Sequence, residues 1–179
     1  ISNIVNAFSR VDMVDVVLFD HLALAALLIP PDKFNPQSVA NIVNAYSKLL
    51  NTGEEQSMDV TELFLHMSSA AKLQPQEALE MQNIANMMNA WARMRLRDEE
   101  LFSHLGTAVA RIAVDGFVPD AQAASNIFHA LATFNIRNQH ILDALSRTLP
   151  AVHYSACVPQ GIANVCWSMS VLQQRRVAQ

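Results

Sequence analysis

The sequence predicts an all-α fold, an α-solenoid of stacked antiparallel helix pairs with a repeat of about 38 residues, and three observations predict it. Five ten-residue segments align without gaps, at 2–11 (SNIVNAFSRV), 40–49 (ANIVNAYSKL), 85–94 (ANMMNAWARM), 125–134 (SNIFHALATF) and 163–172 (ANVCWSMSVL). Apolar residues recur within them at helical spacing, and no alternation of the β type competes. Prolines and polar turn residues punctuate the stretches between. Such self-similarity marks a repeat array, whose units bury their apolar faces only by stacking on one another.

Each unit divides into two helices. Helix A contains the aligned segment, anchored by Asn3, Asn41, Asn86, Asn126 and Asn164. Helix B follows a short polar turn. The first B helix opens at Asp15, a good N-cap type, carries Leu18 and Phe19, and stops at Pro30 and Pro31. In the second, Val60 occupies the cap column, so Asp59 or Thr61 must substitute; Leu63 and Phe64 follow, and Pro75 closes it. The third opens at Asp98 before Leu101 and Phe102 and ends at Gly116 with Pro119; the fourth opens at Asn138 before Ile141 and Leu142 and ends at Pro150.

Anchor spacings of 38, 45, 40 and 38 place seven extra residues in the second unit and two in the third. The seven are expected in the polar stretch 51–57 and the two at Asp115 and Gly116, because loops absorb insertions cheaply. The units are then 1–37, 38–82, 83–122, 123–160 and a partial 161–179. The chain starts without methionine inside one helix and ends inside another, so it is expected to be a piece of a longer protein.

Composition excludes several classes. Of 179 residues 51% are hydrophobic and 16% charged, too apolar for a disordered chain. The apolar run at 22–29 has eight residues against the ~20 that a spanning helix needs, so no membrane role is expected. The four glycines stand far apart, which removes phosphate-cradling loops and nucleophile elbows. No nucleophile, base and orienting group coincide in the repeat frame, so neither an enzyme nor a cofactor nor a small-molecule substrate is expected. Cys157 and Cys166 form no C-x-x-C pair, arguing against zinc and against a disulfide-stapled secreted domain. His21, His66 and His104 share one helix-B column, but stacked helices lie ~8–10 Å apart and zinc–ligand bonds are near ~2 Å, so no metal site is expected.

The columns of helix A separate by chemistry at 100° per residue. Positions one, five and eight after the asparagine are apolar, from Ile4, Phe8 and Val11 to Val165, Met169 and Leu172, and form the core face. Position two (Val5, Val43, Met88, Phe128, Cys166) widens it, which makes Cys166 a core residue. Position four and the residue before the asparagine are always Ala or Ser, small enough for neighbouring A helices to approach closely.

The opposite arc is polar. The five anchor asparagines are expected to form a structural ladder, bonding one another or loop carbonyls. Positions three and seven supply Asn6, Arg10, Asn44, Lys48, Asn89, Arg93, His129 and Trp167, side chains suited to reading a partner. The aligned segments hold no Asp or Glu; Arg10, Lys48 and Arg93 give them +3, which leaves −7 for the rest of a chain whose net charge is −4. An acid-free groove suits RNA, with amides for bases or sugars and cations for phosphates. Trp167 either stacks on a base or caps the last repeat.

The aligned segments resemble those of the octotricopeptide and heptatricopeptide repeat proteins of organelles, relatives of the RAP-domain proteins. The likeness rests on the period, on the opening Ala or Ser, then Asn, then Ile, Val or Met, on the small residue four places on, and on Pro36-Gln37 and Pro159-Gln160 before the helix. Trp167, three after its asparagine, matches the octotricopeptide pattern, whereas Asn6, Asn44, Asn89 and His129 stand in that column elsewhere. The resemblance implies RNA binding in the mitochondrion or a plastid, on an organellar rRNA or transcript. The acidic total and the missing tryptophans favour a member working beside other proteins of a ribonucleoprotein assembly, such as the mitochondrial ribosome. No RAP domain is visible in the sequence. The alternative is an armadillo- or HEAT-type protein-interaction scaffold with no direct RNA contact.

Overall fold

The computed structural model describes residues 1–10, 15–49, 59–116, 120–148 and 158–173, and for Arg10 and Thr148 the backbone alone. Among the described residues all regular structure is helical: α1 (Ser2–Arg10), α2 (Val16–Leu27), α3 (Pro36–Leu49), α4 (Val60–Lys72), α5 (Met81–Met94), α6 (Glu99–Val114), α7 (Ala121–Thr133), α8 (Gln139–Thr148) and α9 (Pro159–Gln173). Single 3-10 turns at Pro31–Lys33 and Gln76–Ala78 precede α3 and α5. The odd helices carry the aligned segments, Phe134 being the C-cap of α7 and Val11 lying outside the described residues, and α3, α5, α7 and α9 begin about one turn before them. The expected insertion at 51–57 and the closing residues Pro119 and Pro150 lie outside the described residues.

The caps account for the boundaries. Leu18 N donates to Asp15 Oδ1 at 3.0 Å, Leu101 N to Asp98 Oδ1 at 2.9 Å and Ile141 N to Asn138 Oδ1 at 3.2 Å, so the expected caps open α2, α6 and α8. Asp59 substitutes in the second unit, accepting from Thr61 N at 2.8 Å. Asn35 and Asp120 do the same for α3 and α7. The exits of α5 and α7 share one device. Arg95 and Asn135 adopt positive φ (54° and 53°), and the amides of Leu96 and Ile136 reach back to the carbonyls of Trp91 and Leu131. This left-handed stop satisfies carbonyls that the helix leaves unpaired.

Two series of contacts order the helices. Successive odd helices pack on one another from α1 through α9, and successive even helices from α2 through α8, while α3 meets α4 and α5 meets α6. The core face is buried as the columns require, including Ile42, Tyr46, Met87, Trp91, Ile127 and Leu131. Landmark phenylalanines on the even helices meet an aromatic ring of the next odd helix or its end edge-to-face: Phe19 with Tyr46 at 5.3 Å, Phe64 with Trp91 at 5.0 Å and Phe102 with Phe134 at 5.2 Å between centroids. Tyr46 donates its hydroxyl proton to the Phe19 carbonyl at 2.6 Å; burial, and then the nearby Asp20 carboxylate, push that phenol well above its usual pKa.

The small columns divide their labour. The residue before the asparagine faces the following odd helix: Ser2 Oγ lies 3.4 Å from Ser38 Oγ of α3, and Ser125 sits under Gly161 of α9. Position four faces the preceding one. Ala45, Ala90, Ala130 and Ser168 are buried, whereas Ala7 of α1, which has no predecessor among the described residues, is exposed. The same asymmetry corrects one expectation. Cys166 is exposed, because position two of α9 points where a following helix would lie and none is described there.

Side chains also reach from unit to unit. His66 Nε2 donates to the Ile29 carbonyl at 2.8 Å, Gln74 Nε2 to the Phe34 carbonyl at 2.8 Å, and Arg111 to the carbonyls of Gln76 (2.9 Å) and Leu79 (3.4 Å). At the opposite helix ends Arg97 donates to the Phe134 carbonyl at 3.1 Å and Arg137 to the Val171 carbonyl at 3.3 Å. Cations here also meet the negative end of the helix dipole. Among the described residues no helix is long and apolar enough to cross a membrane.

Candidate nucleic-acid interface

The residues expected to face RNA fall into two groups. Asn6 and Asn44 are half-buried and Lys48 is exposed, on α1 and α3. Arg93, His129 and Trp167 come from three consecutive odd helices, α5, α7 and α9, and the fold brings them together. With Arg95, Arg97, Ala92, Ala132, Thr133 and Phe134 they line an open concavity of about 610 Å³. Asn89 is only 6% exposed, so little of its amide is open to a ligand. The Arg10 side chain lies outside the described residues.

The electrostatics of the concavity follow from its neighbours. Partial burial lowers the Arg93 pKa, although guanidinium remains a cation at any ordinary pH. Burial, and then the Arg93 charge, hold His129 below the usual histidine range. The imidazole is therefore neutral at pH 7, with one ring nitrogen to donate and one to accept. Its ring lies 5.6 Å from the Trp167 indole at a tilt of 38°. Trp167 stays 48% exposed, so one aromatic surface remains open beside the cations. Arg95 is exposed at its left-handed stop, whereas Arg97 is committed, pairing with Glu99 at 2.8 Å as well as with Phe134. The arrangement can hold an anion and a flat aromatic group side by side.

Two of the five anchor asparagines bond within their own helices and not in the expected ladder. Asn86 Oδ1 accepts from Gln82 Nε2 at 3.3 Å and Asn164 Oδ1 from Gln160 Nε2 at 3.0 Å, each one turn back in the same helix. Among the described residues no hydrogen bond joins Asn3, Asn41, Asn86, Asn126 or Asn164 to another. Neighbouring helix axes at ~8–10 Å leave an amide on this outward arc too far from its counterpart.

The histidine column serves packing. His21 Nδ1 donates to the Val17 carbonyl at 2.7 Å, His66 reaches Ile29, and His104 Nδ1 accepts from Gln76 Nε2 at 3.1 Å. Among the described residues no three His, Cys, Asp or Glu side chains are grouped to hold a metal ion. Thr133, seven after Asn126 and so in the column of Lys48 and Arg93, lines the concavity with Arg95. The recurrence of arginine eleven places after the anchor, Arg97 and Arg137, was the readable signal for the staples. No protein-family model and no curated protein matches this chain.

Proposed function

We propose that the helices form a solenoid of stacked antiparallel pairs and that the chain is a noncatalytic RNA-binding protein of organelle gene expression, set in a ribonucleoprotein assembly such as the mitochondrial ribosome. The continuous contact of odd helix with odd helix, closer than that among the even ones, supports a stack bent toward the odd side. That makes the odd helices the inner layer and the acid-free segments its lining.

The observation that carries the RNA reading is the convergence of Arg93, His129 and Trp167 on one concavity with Arg95 at its side. Cations next to an open indole and a neutral imidazole suit a phosphate and its base together, as in other single-strand binders. The stem-rich Lys48 extends the positive character to α3.

The test is a titration of fluorescein-labelled single-stranded RNA at several salt concentrations against the Arg10→Ala, Lys48→Ala, Arg93→Ala triple variant. Affinity should fall at least tenfold, and the slope of log affinity against log salt should flatten by about 2–3 for three lost phosphate contacts. Unchanged affinity with an unchanged slope would sink the assignment.

A further inference from the structure

The described residues that leave the even helices and enter the odd ones, 28–36, 73–81, 114–116 and 120–121, hold Asp32, Glu77, Glu80, Asp115 and Asp120. Against these five carboxylates stand Lys33, ion-paired with Asp32 at 3.1 Å, and Arg111, occupied by the Gln76 and Leu79 carbonyls and by Asp115 at 3.3 Å. Glu77 and Glu80 are exposed and have no ion-pair partner among the described residues.

Each of these even helices also ends on an exposed large apolar side chain, at equivalent positions in the first two (Leu28 and Leu73, nine residues after Phe19 and Phe64) and about one helical turn farther along in the third (Val114, twelve after Phe102). Leu28 and Leu73 are the C-caps of α2 and α4 and Val114 is the last residue of α6; they are 86%, 61% and 80% exposed. A single exposed leucine means nothing, but an exposed apolar side chain at the end of three consecutive even helices does. The turns are physically joined. Gln74, next to Leu73, bonds the Phe34 carbonyl of the first turn, and Arg111, one helical turn before Asp115, bonds the carbonyls of Gln76 and Leu79 in the second. Helix α4 also packs on the turn Pro31–Lys33 and α6 on Gln76–Ala78. The three apolar side chains therefore belong to one stapled edge, rimmed by acid.

We propose that this edge docks a cationic, apolar-bearing segment of a partner protein, its lysines or arginines meeting Glu77 and Glu80 and its apolar face covering Leu28, Leu73 and Val114. Charge complementarity selects the occupant: an apolar row with a carboxylate rim repels nucleic acid and favours a basic amphipathic chain. The surface is separate from the Arg93 concavity, which forms where the odd helices end, and it stands whether or not that concavity holds RNA.

The probe is a fluorescein-labelled, 18-residue amphipathic peptide of leucine and lysine, titrated by anisotropy against the whole chain. A control peptide carries serine in place of leucine. The leucine peptide should bind at least tenfold more tightly than the serine peptide. The Leu28→Ser, Leu73→Ser, Val114→Ser variant should lose at least tenfold, as should Glu77→Lys with Glu80→Lys, while Arg93→Ala should leave the affinity unchanged. Circular dichroism confirms that the variants fold, since all five positions are exposed. Equal binding of the two peptides, or an undiminished affinity in either variant, overturns the proposal. So does sedimentation showing self-association that the serine variant abolishes without peptide binding, which would assign the edge to a second copy.

Discussion

Helices α5 and α9 carry the same aligned pattern and differ in what covers it. In α5 Ala85, Met88, Asn89 and Trp91 are all buried; at the equivalent places in α9 Ala163, Cys166 and Trp167 are exposed and Met169 is half-buried. Position four behaves alike in both, Ala90 and Ser168 being fully buried against the preceding odd helix. Each odd helix is thus a two-sided element. One flank is covered by its predecessor and the other by its successor, and α9 has no successor among the described residues. Helix α1 shows the complement: Ala7 is open and Ile4 is 46% exposed on the side where a predecessor would pack. Because each odd helix packs on the odd helices before and after it, the same side chain is worth different amounts in different helices.

The largest test of this difference uses tryptophan. Trp91→Ala removes a buried indole in edge contact with Phe64 and should cost about 3–5 kcal/mol in urea unfolding. Trp167→Ala removes an indole that is 48% exposed and tilted against His129, and should cost about 1 kcal/mol or less. Equal losses would mean that the two helices are not covered differently.

A smaller effect probes the close approach of the odd helices. Ala90→Leu forces three extra carbons between α3 and α5 and should destabilise by about 1–3 kcal/mol. Ala7→Leu, on the open flank of α1, should stay within about 0.5 kcal/mol, and a comparable loss there would place an unseen neighbour on that flank.

The gentlest test is chemical. In a Cys157→Ser background, Cys166 should react with a maleimide in the folded protein within a few-fold of its rate in urea, and Cys166→Ser should change stability by no more than about 0.5 kcal/mol. Strong protection of the thiol would restore it to the core.

Much of the helical layout was legible because the relevant forces are local. Asp15, Asp98 and Asn138 cap the helices that follow them, and Asp59 stands in where Val60 fills the column, since a cap bond spans two or three residues. The small columns were legible too, as Ala and Ser leave room that no other reading explains. The candidate site was half legible. Arg93, His129 and Trp167 were named by column, yet their convergence on one concavity, the spending of Arg97 on Glu99 and the Phe134 carbonyl, and the near-complete burial of Asn89 were not.

By itself the sequence determined direction: periodicity states which way each side chain leaves its helix axis, and so which faces are core, flank and open arc. Only the tertiary structure decided coverage, because whether an outward side chain meets water, a ring or a carbonyl depends on a helix roughly forty residues away. That is why Cys166, on a core column, ended exposed, and why Asn86 and Asn164, which share a column, bond glutamines of their own helices and not one another.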